Sequence, residues 1–138
     1  MAGTLVADVL QDGAGNSTAM DNAIYGSAKA WVTVNVSTGT LAVTKSYNVS
    51  SVTTRGTGQY TVNFTSSLPD ANYAMASSAG TGPTYANSGG IFTSYNIGPT
   101  GGTYPTTSSC QVNTVRGTYN GSDGVYISPY LAAFVFFD

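Results

Sequence analysis

The sequence predicts an all-β chain: a single antiparallel β-sandwich or jelly-roll-like barrel led by an extended N-terminal arm. Three observations carry that expectation. From Ala28 onward, short runs alternate apolar and polar residues with a period of two, the pattern of half-buried strands. Clusters of Gly, Pro, Asn and Ser punctuate those runs at short intervals, as turns between strands require. Only 7% of the 138 residues are charged, against about 25% in ordinary soluble domains. Hydroxyl and amide residues replace the charges, and no convincing helical period appears.

The first segment, residues 1–27, stands apart. "TLVADVLQ" reads as a short strand, whereas "DGAGNSTAMDNAIYGS" is turn and loop chemistry without a sustained period. We expect an arm, part strand and part extended, that needs another surface to order it; a flexible tail is the plainer alternative. Leu5, Val6, Val9 and Leu10 are the concentrated apolar residues before Ala28, which makes them the candidate assembly interface.

Residues 28–138 are expected to form the sandwich or barrel. In "AKAWVTVNV", Ala28, Ala30, Val32, Val34 and Val36 share one face, and the other is polar except for Trp31. "STGT" is a turn, and "LAVTKSYNV" a second strand with Leu41 and Val43 facing one way. "TTRGTG" suits a bulged hairpin connection, because glycine reaches positive φ without steric cost. "QYTVNFTS" is the clearest strand, with Tyr60, Val62 and Phe64 on one face and Thr61, Asn63 and Thr65 on the other. "SLPD" closes it, its aspartate placed to bond its own backbone. "ANYAMASS" opens the next strand.

From Ser78 to Ser109 the chain loosens into long Gly/Pro/Ser/Thr loops around one strand, "IFTSYNI". Loops of this length on a compact β domain are usually functional surfaces or pack against neighbours. "CQVNTVRGT", "VYISPY" and "LAAFVFFD" supply the last strands, with Pro129 dividing the final pair or marking a bulge. Seven to nine strands are expected in all.

The same composition narrows function by exclusion. Lys29, Lys45, Arg55 and Arg116 are the four cations, scattered through a chain of net charge −2. They supply neither the basic patch of a nucleic-acid binder nor a hold on an anionic membrane. No window approaches the roughly 20 apolar residues of a membrane span, and the N-terminus lacks the basic and apolar regions of a signal peptide. A soluble chain made in the cytoplasm is the expectation.

Catalysis is equally short of residues. There is no histidine, so the many serines have no general base, and zinc or copper ligands are missing. Asp8, Asp12, Asp21, Asp70, Asp123 and Asp138 are the whole acidic inventory, spread over arm, turn and loop. A glycosidase dyad would need two of them brought together by the fold. "YNGSDG" around Asp123 is the best calcium candidate but lacks the acidic ladder of such loops; an ordinary tight turn is the expectation. "RGTG" joins strand to strand, unlike a phosphate-cradling loop. Cys110 is the single cysteine, read as a buried filler thiol with no base or resolving partner. No catalytic residue, metal or cofactor is expected.

Tyrosine is the residue used freely, ten times. Its aromatic body and polar tip suit packing, interfaces and sugar faces alike. Tyr85, Tyr95, Tyr104 and Tyr119, in or beside the loop-rich second half, are the candidate subunit or glycan contacts.

Beyond composition, "AKAWV", "SYNVSSVTTRGTGQYTVNFT" and "PDANYA" together resemble a module of bacteriophage virion proteins, often tail-fibre or structural, from phages of aquatic bacteria. The match covers 28–32, 46–65 and 69–74, roughly the first half of the chain. In longer fibres the module implies a C-terminal trimeric β-knob. Here no shaft or tail-anchoring segment accompanies it, which favours a small subunit docking on the capsid. The resemblance therefore implies a non-enzymatic virion surface protein, synthesised in the bacterial host cytoplasm and most simply a homotrimeric decoration or cement subunit. Its partners would be copies of itself and other phage structural proteins such as the major capsid protein. The alternative is a short fibre tip or receptor-binding knob meeting a host-surface glycan. A polysaccharide-degrading enzyme has no residues to support it.

Overall fold

The alternation read from Ala28 onward becomes two antiparallel sheets that share one core. The computed structural model describes residues 7–11, 13–19, 27–37, 40–80, 91–95, 104–116, 125–126 and 129–137. In chain order its strands are β1 (Val9–Gln11), β2 (Ser17–Ala19), β3 (Ala28–Asn35), β4 (Ala42–Tyr47), β5 (Val49–Gly56) and β6 (Gln59–Phe64). They continue with β7 (Ala74–Gly80), β8 (Ile91–Tyr95), β9 (Ser109–Arg116), β10 (Val125–Tyr126) and β11 (Leu131–Phe137).

One sheet runs β4-β3-β11-β7. The other is built on β9, which pairs with β6 through Ser109–Asn113 and with β8 from Val112 to Arg116. β5 extends that sheet beyond β6, and the short β10 joins β9 at Val115 and Arg116. β1 and β2 form a two-stranded sheet of their own.

Period-two burial decides which residues meet between the two large sheets. Ala30, Val32 and Val34 from β3 face Tyr60, Val62 and Phe64 from β6, with Cys110 and Val112 from β9 and Ala132, Phe134 and Phe136 from β11. Each large side chain taken fully from water there contributes roughly 1.5–3 kcal/mol. At one end, Phe64, Tyr73 and Phe136 meet edge to face, with ring centroids 5.1–5.8 Å apart, the geometry that the ring quadrupole favours. The Tyr73 hydroxyl lies 3.1 Å from both the Thr106 and the Ser109 carbonyl oxygens. That anchors the entry to β9 beneath the β6–β7 connection, where the Leu68 amide also donates to the Thr107 carbonyl at 2.8 Å.

The chain crosses between sheets at Asn48, the one described non-glycine residue with positive φ, at 53°. Asparagine tolerates this left-handed conformation better than other side-chain-bearing residues. Its carboxamide holds the corner closed: Nδ2 donates to the Lys29 and Ser66 carbonyls, both at 3.1 Å, and Oδ1 accepts from the Ser66 amide at 2.8 Å.

The structure differs from the sequence expectation in four places. "LAVTKSYNV" is not one strand: β4 ends at Tyr47, and Val49 begins β5 in the other sheet, because Asn48 turns the chain. The expected turn at "TTRGTG" is shorter, since β5 runs through Gly56 and the reversal is made at Thr57 and Gly58, with Gly58 at φ 66°. The expected bulge is there, between Thr54 and Gly56. The arm's "loop" chemistry contains β2, paired with β1 across a glycine turn in which Gly15 has φ 87°. The strand total is accordingly eleven among the described residues, above the seven to nine expected. The Asp70 turn is as expected, with the Asn72 amide donating to Asp70 Oδ1 at 2.6 Å, and Pro129 separates β10 from β11.

Candidate interaction surfaces

Cys110 settles first. It is buried to 1% exposure, and desolvation pushes its thiol up to about 12, partly opposed by the Tyr73 hydroxyl beside it. A thiol held protonated in a dry core is no nucleophile at neutral pH. Among the described residues, no three His, Cys, Asp or Glu side chains come together. Asp123 and its loop lie outside the described residues.

The arm's candidates divide in two. Leu5 and Val6 lie outside the described residues. Val9 and Leu10 sit in β1, exposed at 53% and 40%, on a hairpin braced by Gln11 Nε2 donating to the Gly15 carbonyl at 3.2 Å. Neither contributes to the shared core. The tyrosine candidates also divide. Tyr85 and Tyr119 lie outside the described residues, and Tyr95 ends β8 opposite Val112. Tyr104 is 78% exposed, just before the anchored 106–109 turn.

The outward faces of the two large sheets differ. On the β5-β6-β9 side, strand register aligns Ser51 with Asn63, Thr53 with Thr61, and Thr61 with Gln111. This face is laced by polar bonds: Arg55 Nη1 donates to Gln111 Oε1 at 2.8 Å and Asn63 Nδ2 to Ser51 Oγ at 3.0 Å. It is an ordinary solvated sheet face.

The β4-β3-β11-β7 side is not. Its register aligns Tyr47 with Trp31, Trp31 with Val135, and Val135 with Ala76, all opposite to the buried set of Val32, Phe134 and Phe136. Tyr47 is 59% exposed and Leu131 44%, while Trp31, Ala133, Val135 and Phe137 are half-buried. β11 is therefore apolar on both faces, whereas β3, β4 and β7 add Thr33, Asn35, Lys45 and Ser78 to the outer one. All six residues of β4 are exposed.

No family model, curated protein or solved structure matches this chain. The surfaces must therefore be read from their own chemistry.

Sequence reasoning passed over this apolar stripe, although two signals for it were present. Trp31 interrupts an otherwise polar face, and "LAAFVFF" is an unbroken apolar run rather than an alternating one. A strand that reads that way is normally covered on both sides.

Proposed function

We propose that this chain is a non-enzymatic structural protein of a bacteriophage virion, a homotrimeric decoration or cement subunit on the capsid surface. The observation that carries the reading is the sequence module at 28–32, 46–65 and 69–74. Its residues supply the start of β3, the Asn48 corner, the β5–β6 hairpin and the Asp70 turn. The motif is thus spent on sheet construction, as expected of a building block. The hairpin formed by β1 and β2, with Val9 and Leu10 exposed, suits a grip on a neighbouring subunit or on the major capsid protein, because strand addition combines backbone hydrogen bonds with side-chain register.

A short fibre knob that meets a host glycan is the second reading, favoured by Tyr104, whose 78% exposure leaves an aromatic ring open to stack on a sugar. Copy number separates the two. Quantitative mass spectrometry of purified particles carrying this chain should give hundreds of copies for decoration. A few tens would move the protein to the tail, and absence from the particle would end both readings.

A further inference from the structure

We propose that the outward face of the β4-β3-β11-β7 sheet packs against further copies of this chain, the ridge of one copy seated on the β7 strip of the next. The choice of occupant rests on the self-associating reading above; the choice of face does not.

The face has relief. Tyr47 on β4 and Trp31 on β3 form an aromatic ridge, aligned in register. On the far edge, β7 presents Ala74, Ala76, Ser78 and Gly80, all exposed and all small. Between them lie Val135 and Phe137 of β11, both half-buried. Bulk on one edge and a shallow strip on the other fit each other when copies are related by rotation, since large side chains interdigitate with small ones. Ridge and strip lie on one face, so a two-fold contact can seat each ridge on the other copy's strip, and a head-to-tail contact does the same wherever its rotation closes a ring. A trimer with the three faces turned toward its axis satisfies this arrangement.

Size and charge agree with a second copy. With four strands at about 4.8 Å spacing and seven residues along β11 at about 3.3 Å each, the face projects to roughly 400 Å². That area includes Thr33, Asn35, Lys45 and Ser78 beside the apolar residues. It is about half of the ~800 Å² per partner of a standard interface, so more apolar surface is needed from the same neighbour. Val9 and Leu10 of its hairpin, exposed on alternate faces of β1, add only one side chain each to any such contact. Lys45 lies exposed on β4 beside the ridge, and the hairpin carries the exposed Asp8. The hairpin thus complements the β4 margin in charge as well as in apolarity.

Trp31 is the only tryptophan in the chain and stands on the proposed contact, so its fluorescence reports this face and no other. The test combines light scattering with acrylamide quenching of Trp31 over a concentration series. It uses the full chain, Val135→Glu, Ala76→Arg and, on the polar sheet, Thr53→Glu as control. The full chain should be multimeric with Trp31 shielded, and dilution should raise its quenching severalfold. Val135→Glu and Ala76→Arg should each weaken association at least tenfold and expose Trp31; Thr53→Glu should change neither. Should Val135→Glu not fold by circular dichroism, Ala76→Arg decides, because that site is exposed. A multimer whose Trp31 is quenched equally at all concentrations, or which survives the folded variants, overturns this face while self-association stands. A full chain that remains monomeric at hundreds of micromolar overturns both.

Discussion

Asn48 and Ser66 exchange two hydrogen bonds, Ser66 amide to Asn48 Oδ1 at 2.8 Å and Asn48 Nδ2 to Ser66 carbonyl at 3.1 Å. This reciprocal pair ties the β4–β5 corner to the end of β6, and the same Nδ2 reaches back to the Lys29 carbonyl. One carboxamide therefore ties the β4–β5 corner to β3 of one sheet and to the end of β6 in the other.

Substitution at Asn48 should separate its two roles. Asn48→Gly keeps the positive φ and loses the three side-chain bonds, at about 1 kcal/mol per bond, giving a loss of roughly 3 kcal/mol. Asn48→Ala adds the strain of a left-handed alanine, about 1 kcal/mol more. Urea unfolding should rank the full chain above Asn48→Gly and Asn48→Gly above Asn48→Ala. Equal stability of the two variants would show that backbone strain plays no part.

Tyr73 offers a similar separation inside the core. Tyr73→Phe keeps the ring contacts with Phe64 and Phe136 but removes the hydroxyl facing the Thr106 and Ser109 carbonyls. A loss of about 1–2 kcal/mol is expected. Tyr73→Ala also leaves a cavity and should cost roughly 3–5 kcal/mol. Thermal unfolding monitored by circular dichroism measures both. A Tyr73→Phe protein as stable as the full chain would remove the hydroxyl from the account.

What the sequence made legible follows from where local and global signals agree. β6 and β3 are readable because their alternation is strict and one face is buried. The Asp70 turn is readable because its side chain acts within two residues. The Asn48 corner is hidden because "SYNVSS" keeps strand-like composition straight through the change of sheet, and asparagine's tolerance of positive φ is a faint cue. The exposure of β4 is hidden as well: the bulge between Thr33 and Val34 and the edge position are properties of pairing, invisible in a single strand. The apolar outer face required reading Trp31, Tyr47 and Val135 together, and only the register of β3 with β4 and β11 aligns them.

Cys110 makes stability fall at alkaline pH. The folded state keeps its thiol protonated up to about 12, whereas the unfolded chain releases the proton near 9. The contribution is therefore full below pH 9 and is lost as pH rises from 9 toward 12, by about 1.4 kcal/mol per unit at most. The comparison with Cys110→Ala isolates the thiol's share. At pH 7 that variant should be less stable by roughly 1–2 kcal/mol through its cavity. The difference should shrink between pH 9 and 10.5 and then reverse. Parallel stability curves across that range would contradict the buried-thiol account. Ellman's reagent should meanwhile label the native thiol only as fast as the protein opens.

The hairpin gives the last prediction. Every residue of the described core lies between Ala30 and Phe136, and Val9 and Leu10 are exposed rather than packed on it. Deleting residues 1–22 should then change the unfolding free energy of the remaining domain by no more than about 0.5 kcal/mol, the range of surface changes that touch no core, cap or buried polar group. Association is a different matter. An exposed pair of apolar residues on a preformed hairpin lowers the ordering cost of docking, because the strand geometry already exists before the partner arrives. On the proposed decoration role, the truncated chain should exchange subunits faster and bind empty capsids at least tenfold more weakly, while melting as before. Fluorescence-based subunit exchange and co-sedimentation with capsids lacking this protein measure the two effects. Undiminished capsid binding and unchanged exchange would remove the arm from assembly. A large loss of stability on truncation would instead make the hairpin part of the fold.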